Sequence, residues 1–273
     1  GLTNGVHFDT WISPYMGGLY DRCLVGWRDN PARLADAAQL TDDDLDMARR
    51  GAKRELISYL NGTTQRGFDE DVLTLGFARR TVPYKRAMLI FADLERLMAI
   101  SNDRLQLVFA GKAHPNDRLG QAMVRELVDL SQRLHGKFRV VFLPNYNMWL
   151  GRLLTSGVDI WLNNPVRPLE ACGTSGMKAA LNGAPNLSVL DGWWDEVCDH
   201  GKNGWAIGHG EESRDDLRDV DSLYQVLEHQ VLPLYYDDPA GFSAVRRGAI
   251  ATAPFLSAER MVRQYDERYY RRP

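Results

Sequence analysis

From residue 72 onward the apolar positions gather into short runs at 72–77, 105–109, 138–143, 158–162 and 186–190. Runs of that length, apolar nearly throughout, read as strands buried on both faces. Between them, 84–100, 117–134, 146–154 and 177–182 carry the three- and four-residue spacing of helices, with Met88, Phe91, Leu94 and Leu97 on one stripe of the first. Upstream, Thr41-Asp-Asp-Asp44 reads as a capping box opening an amphipathic helix through Leu45, Met47, Ala52, Leu56 and Leu60, ended by Asn61-Gly62. Residues 1–40 show little periodicity, although Trp11, Tyr15, Tyr20 and Trp27 supply aromatic bulk. Beyond Gly208 an acidic run, 211–219, reads as a solvated connector, followed by helices at about 220–232, 239–250 and 256–270. Alternation of strand and helix predicts an α/β fold, a doubly wound parallel sheet with crossover helices. Ligands of such sheets bind beyond the carboxyl ends of the strands, which directs attention to 78–83, 110–116, 143–147, 163–176 and 191–204.

The loop 163–176 is the richest of these. Gly173-Thr-Ser-Gly176 opens the helix 177–182, and a small-residue loop at a helix N-terminus offers free N–H groups and the positive end of the dipole to an anion. Lys178 sits just inside. It either snorkels to solvent or is partly buried with a depressed pKa, able to form a Schiff base. Glu170, just ahead of the glycines, suits sugar hydroxyls, or a rim ion pair with Arg167; paired with Asp195 it could suggest a hydrolytic carboxylate pair.

After the first strand, Arg79, Arg80, Lys85 and Arg86 straddle a strand end and the start of the next predicted helix. Cations oppose the dipole at a helix start, so they make sense there around an anion, or else as a solvated basic loop. Lys112 and His114 follow the second strand, and Tyr146, between Asn145 and Asn147, either stacks on a ring or packs in the core. Trp193, Trp194 and Trp205 suit a sugar face or the core. The sequence holds no Ser-His-Asp arrangement, no metal-spaced histidines and no Gly-x-Gly-x-x-Gly loop.

Composition narrows the partners. A formal net charge of -3 over 273 residues argues against nucleic acid bound by bulk charge, and no apolar run approaches the ~20 residues of a membrane span. Cys23, Cys172 and Cys198 are odd in number and lack metal spacing, which fits a reducing cytoplasm. The chain starts Gly1-Leu-Thr3 without Met, as a piece of something longer would.

The segment Glu170-Ala-Cys-Gly-Thr-Ser-Gly-Met-Lys-Ala-Ala-Leu-Asn-Gly183 resembles the pyridoxal-phosphate lysine segment of the α-glucan (glycogen, starch and maltodextrin) phosphorylases. The similarity covers almost the whole chain: Thr3-Asn-Gly-Val-His7 with Trp11, Tyr84-Lys-Arg86, Gly111-Lys-Ala-His-Pro115, Asn145-Tyr146 and Leu190-Asp-Gly-Trp-Trp-Asp195 fall in the right order. The Trp-Leu-Asn-Asn-Pro and Gly-Trp-Trp-Asp-Glu versions look like the shorter bacterial and archaeal branch.

The resemblance implies the C-terminal lobe of a two-lobed (GT-B type) glycosyltransferase with Rossmann-like halves. Residues 1–40 would lead in from the N-terminal lobe, 41–210 would form the cofactor and phosphate core, and 211–273 the helices completing the lobe. It implies catalytic roles for Lys178, Arg80 and Lys85. Pyridoxal phosphate would be held by Lys178, Thr174, Ser175, Arg79, Lys85 and Tyr146, and the reacting glucose by Glu170, Cys172 and Gly173, with Arg80 on inorganic phosphate or glucose 1-phosphate. The expected reaction is retaining phosphorolysis of α-1,4-glucan, by a chain inactive without the N-terminal lobe, with room for a homo-oligomer. Three positions depart from the long members: Cys172 stands for Ser, Arg79 for Lys and Asn147 for Arg. A nucleotide-sugar glycosyltransferase resembling glycogen synthase, and a non-catalytic sugar- or phosphate-binding lobe, are the alternatives that keep the same fold.

Overall fold

The structure, a computed structural model, describes residues 1–210 and 214–271. Strands β1 (Leu73–Arg80), β2 (Leu105–Lys112), β3 (Val140–Leu143), β4 (Ile160–Asn163), β5 (Asn186–Val189) and β6 (Gly204–Ile207) form one sheet in the order β3-β2-β1-β4-β5-β6, every pair parallel. This is the doubly wound order in which the winding reverses between the first and fourth strands, leaving a crevice beyond their carboxyl ends. Alternate residues feed two cores. Leu75, Phe77, Leu107 and Phe109 face one layer, while Ala78, Val108, Ala110 and Trp161 face the other.

The helices are α1 (Phe8–Trp11), α2 (Pro14–Cys23), α3 (Asp42–Thr64), α4 (Leu94–Ser101), α5 (Arg118–Arg133), α6 (Met148–Gly157), α7 (Thr174–Leu181), α8 (Trp193–Val197), α9 (Asp216–Val226), α10 (Leu232–Asp237), α11 (Pro239–Ala251) and α12 (Ala258–Tyr265). Among the described residues no helix is long and apolar enough to cross a membrane. Residues of α4, α5, α9 and α10 pack on the first layer, and those of α3, α6 and α7 on the second. Residues 6–40 build a third cluster with Met177, Leu181, Trp193 and Ile250, so the weakly periodic N-terminal segment is packed against α7, α8 and α11.

Several elements differ from the pattern. The capping box holds, Thr41 Oγ1 accepting from Asp44 N at 3.2 Å, but α3 runs past Asn61-Gly62 to Thr64. Asn61 spends its amide across the turn on Phe68 N and O, both at 2.8 Å, and Gln65 at φ 52 stops the helix. The expected helix 84–100 breaks into 3-10 turns at Pro83–Lys85 and Leu89–Phe91 before α4. Its first half yields because Arg86, at φ 48, is drawn inward by tertiary bonds; α4 starts only where Asp93 caps Arg96 N at 2.9 Å. The expected loop 191–204 holds α8 and the start of β6, elements too short for a periodic signal. Of the acidic run, 211–213 lie outside the described residues. Asp216 and Asp219 belong to α9 and pair with the buried Arg86 at 2.9 and 2.6 Å, so they are not a solvated connector.

At the amino ends of β1 and β4, Asp159 gathers Lys53 at 2.6 Å, Arg246 at 3.2 Å and Thr74 N at 2.9 Å. Burial opposes ionisation of Asp159, but Lys53 and Arg246 outweigh it and hold the carboxyl below its usual range. Its contribution to stability is therefore present at neutral pH and lost as pH falls through the lowered pKa. Arg49 beside it donates to Ser156 O, Val158 O and Asn182 O, which are carbonyls at the ends of α6 and α7. Asp159→Ala leaves buried cations without their shared carboxylate. It should lower stability by about 3–5 kcal/mol, read as a lower urea midpoint at unchanged slope.

Candidate active site

The crevice between β1 and β4 is where the two loops of interest meet. Val166 N donates to Tyr84 O at 2.7 Å and stitches them together. Arg79, near the end of β1, places Nη2 3.0 Å from Glu170 Oε2, and Lys85 Nζ bonds the same oxygen. All three side chains are buried, so two cations share one carboxylate. Arg80, the next residue along the strand, is exposed and forms no hydrogen bond or ion pair with the described residues. Arg86 is buried but turns away, donating to Asn164 O at 2.9 Å and Pro165 O at 2.7 Å, so it clamps the β4 loop rather than facing the crevice. With 3-10 turns in place of a helix start, no dipole opposes these cations, and their clustering follows from Glu170 and the loop carbonyls instead.

The other wall is the start of α7. Gly173 caps it at φ 81, a left-handed conformation that favours glycine. The first-turn N–H groups of Thr174 and Ser175 have no intrahelical acceptor. Ser175 Oγ itself accepts from Trp161 Nε1 at 3.2 Å, which leaves its backbone as the group on offer. Lys178 is half-buried, with Nζ 3.4 Å from the ring centroid of Trp11, and its amine makes no hydrogen bond or ion pair with the described residues. Burial pushes its pKa down to about 8. A Cβ on Gly151 would lie 3.0 Å from Tyr146 Oη and 3.5 Å from Trp11 Cζ3, so the two rings converge over that glycine. Burial raises the Tyr146 pKa, opposed by the charge of Arg79.

A supporting layer holds the loop 170–173 in place, and sequence patterning did not reveal it. Asp191 accepts Glu170 N and Gly192 N, each at 2.9 Å. Trp193 N donates to Cys172 O, and Trp193 Nε1 to Gly173 O, both at 3.1 Å. Gly192, at φ 57, approaches so closely that a Cβ would sit 2.5 Å from Cys172 O. Trp193, Trp194 and Trp205 are all buried core residues, so none offers a face to a sugar. Cys172 is buried too, and burial pushes its thiol pKa up, eased by hydrogen bonding from Asn4. Arg167 pairs with Asp195 at 2.9 Å, while Glu170 pairs with Arg79 and Lys85 rather than with Arg167. Asn147 caps α6, its Oδ1 accepting Leu150 N at 2.9 Å. Lys112 and His114 are exposed, and His114 Nδ1 accepts Asn116 N at 3.1 Å within its own turn.

Arg79 Nε and Nη1 are buried with no hydrogen-bond partner. Unpaired guanidinium donors, a second cation in Lys85 and a free helix start fit an anionic group. The sequence of the chain matches carbohydrate phosphorylase over residues 1–231. The chain belongs to the carbohydrate phosphorylase family. It is 42% identical to a maltodextrin phosphorylase of Thermococcus litoralis over 99% of this chain and 35% of that relative. A glycogen phosphorylase of Aquifex aeolicus is 38% identical over 98% of this chain and 43% of its own length. For one of Mycobacterium tuberculosis the figures are 40%, 98% and 35%. This phosphorylase-family chain therefore spans well under half the length of these relatives.

Glu170→Gln removes the counter-charge of two buried cations. Stability should fall by about 3 kcal/mol, and inorganic phosphate should raise the Tm of the variant more than that of the parent.

Proposed function

We propose that this chain is the cofactor- and phosphate-binding lobe of an α-glucan phosphorylase, carrying pyridoxal phosphate on Lys178 and transferring glucosyl units from α-1,4-glucan to phosphate with retention. The observation that carries this reading is the buried cluster of Arg79, Lys85 and Glu170 beside the start of α7, where a Cβ on Gly173 would lie 3.5 Å from Glu170 Cγ, with a half-buried lysine one turn into that helix. The relatives named maltodextrin and glycogen phosphorylase support the choice of substrate. A cytoplasmic location belongs to the same reading.

In this reading Thr174 and Ser175 N–H, Arg79 and Lys85 hold the cofactor's phosphate, and Tyr146 lies alongside. With its pKa near 8, Lys178 keeps a usable fraction of free amine at neutral pH, which covalent attachment requires. When bound, pyridoxal phosphate supplies an ionisable phosphate group that exchanges a proton with substrate phosphate. Arg80, exposed at the crevice mouth, takes the substrate phosphate, and the buried cations lower the repulsion between two phosphates brought into contact. Glu170, Cys172 and Gly173 bind hydroxyls of the reacting glucose, with the Glu170 carboxylate held in place by Arg79 and Lys85. Residues 1–40 lead in from an N-terminal lobe, which completes the glucose site and the acceptor channel, and 211–273 complete this one.

The full-length protein, reduced with borohydride and mapped by peptide, should carry the cofactor label on Lys178. With maltodextrin and phosphate it should release glucose 1-phosphate, while residues 1–273 alone give none. Lys178→Ala should abolish both label and turnover. Arg80→Ala should lower kcat/KM for phosphate roughly tenfold or more, the effect of one charge-assisted contact. A colourless full-length protein that binds ADP-glucose would overturn the reading.

A further inference from the structure

Asn182 lies one helical turn after Lys178, caps the carboxyl end of α7 and is fully buried. Its side chain is saturated by two parts of the chain. Oδ1 accepts Ser13 N at 2.8 Å, while Nδ2 donates to Trp11 O and to Lys178 O, each at 2.9 Å. The segment joining α1 to α2 is thereby tied to the helix that carries the lysine. The ring of Trp11, held by its own backbone, lies against Lys178 Nζ at 3.4 Å from the centroid. Ile12, Met16 and Leu181 belong to one buried cluster, against which Trp11 packs.

We propose that Asn182 is a positioning residue for Lys178: its clamp on residues 11–13 makes Trp11 the wall of the lysine's pocket and keeps the amine from water and from every carboxylate. The inference rests on the reading of Lys178 as the reactive amine of the site. Of the charged groups on elements around α7, Arg49 donates to Asn182 O at 2.8 Å beyond the far end. Glu170 is engaged by Arg79 and Lys85 beyond the near end. Burial, not a neighbouring charge, accounts for the lowered pKa of Lys178. Cutting the clamp loosens Trp11 and lets water reach Nζ, and the ammonium regains the hydration it lacks. Each unit of rise then removes a factor of about ten in free amine at neutral pH.

Lys178 reactivity can be read directly by competitive acetic anhydride labelling across pH, quantified on its peptide. The full-length protein is used, dialysed against hydroxylamine to free the amine. The parent should show a midpoint near 8. Asn182→Ala, and Asn182→Asp, which keeps an acceptor for Ser13 N but loses both donors, should raise it. Labelling at neutral pH should then fall at least tenfold, equivalent to about one pKa unit. Leu232→Ala, in the core on the other layer, should lower Tm and leave the midpoint unmoved. An ordinary lysine midpoint in the parent overturns the proposal. So does an unshifted midpoint in an Asn182 variant that melts cooperatively, or an equal shift in Leu232→Ala. If the midpoint moves as expected but borohydride places no label on Lys178, the clamp stands and the cofactor reading falls.

Discussion

The site depends on how one carboxylate is shared. Glu170 sits between Arg79 and Lys85 in a buried crevice, and the end of β1, the turn after it and the loop after β4 supply the three side chains at the point where the winding reverses. Two cations against one anion leave positive charge in excess, and burial alone disfavours the charged form of Arg79, with Glu170 opposing that effect. The arrangement is stable only while the loop 166–173 stays where it is. That explains why so much of the neighbouring chain is spent on holding it: Arg86 from the β1 side, Asp191 and Trp193 from the β5 side.

Helix α7 links this edge of the sheet to the other. Its start carries N–H groups without an intrahelical acceptor, and the carbonyl of its capping residue Asn182 is bonded by Arg49 beside the Asp159 cluster. A cation at the carboxyl end and an anion-seeking amino end are the two favourable placements for one helix dipole. Among the described residues, the lysine between them has neither a carboxylate nor a carbonyl for its amine, only the face of Trp11. An indole face stabilises an ammonium far less than water does, so the amine is held nearer to its neutral form.

Much of the architecture was legible because a parallel sheet buries both faces of its strands, and apolar runs flanked by helical periodicity signal that directly. The glycine loop and Lys178 were legible as well, since small residues at a strand-to-helix turn have few other uses. Less visible were α8 and β6, too short to show a period, and the 3-10 turns at 83–91, where Arg86 is pulled from a helical conformation by bonds to loop carbonyls far along the chain. The three tryptophans were ambiguous for a related reason: a large ring suits a core and a sugar equally until burial decides, and here burial places all of them inside.

The sequence by itself determined the winding of strands and helices, the lysine helix with its glycine start, and a family resemblance that the matched relatives bear out. It also marked Arg79, Lys85 and Glu170 as charges worth attention. Only the tertiary structure decided that Arg79 and Lys85 share Glu170 while Arg80 stays in solvent and Arg86 becomes a clamp. It alone revealed Asp191 and Trp193 as residues that hold the loop 170–173, and Asn182 as the tie between residues 11–13 and α7. The physical reason is the same in each case. Periodicity and turn chemistry are local and can be read along the chain, whereas the partner of a buried charge or amide is chosen by residues distant in sequence that packing brings within 3 Å or so.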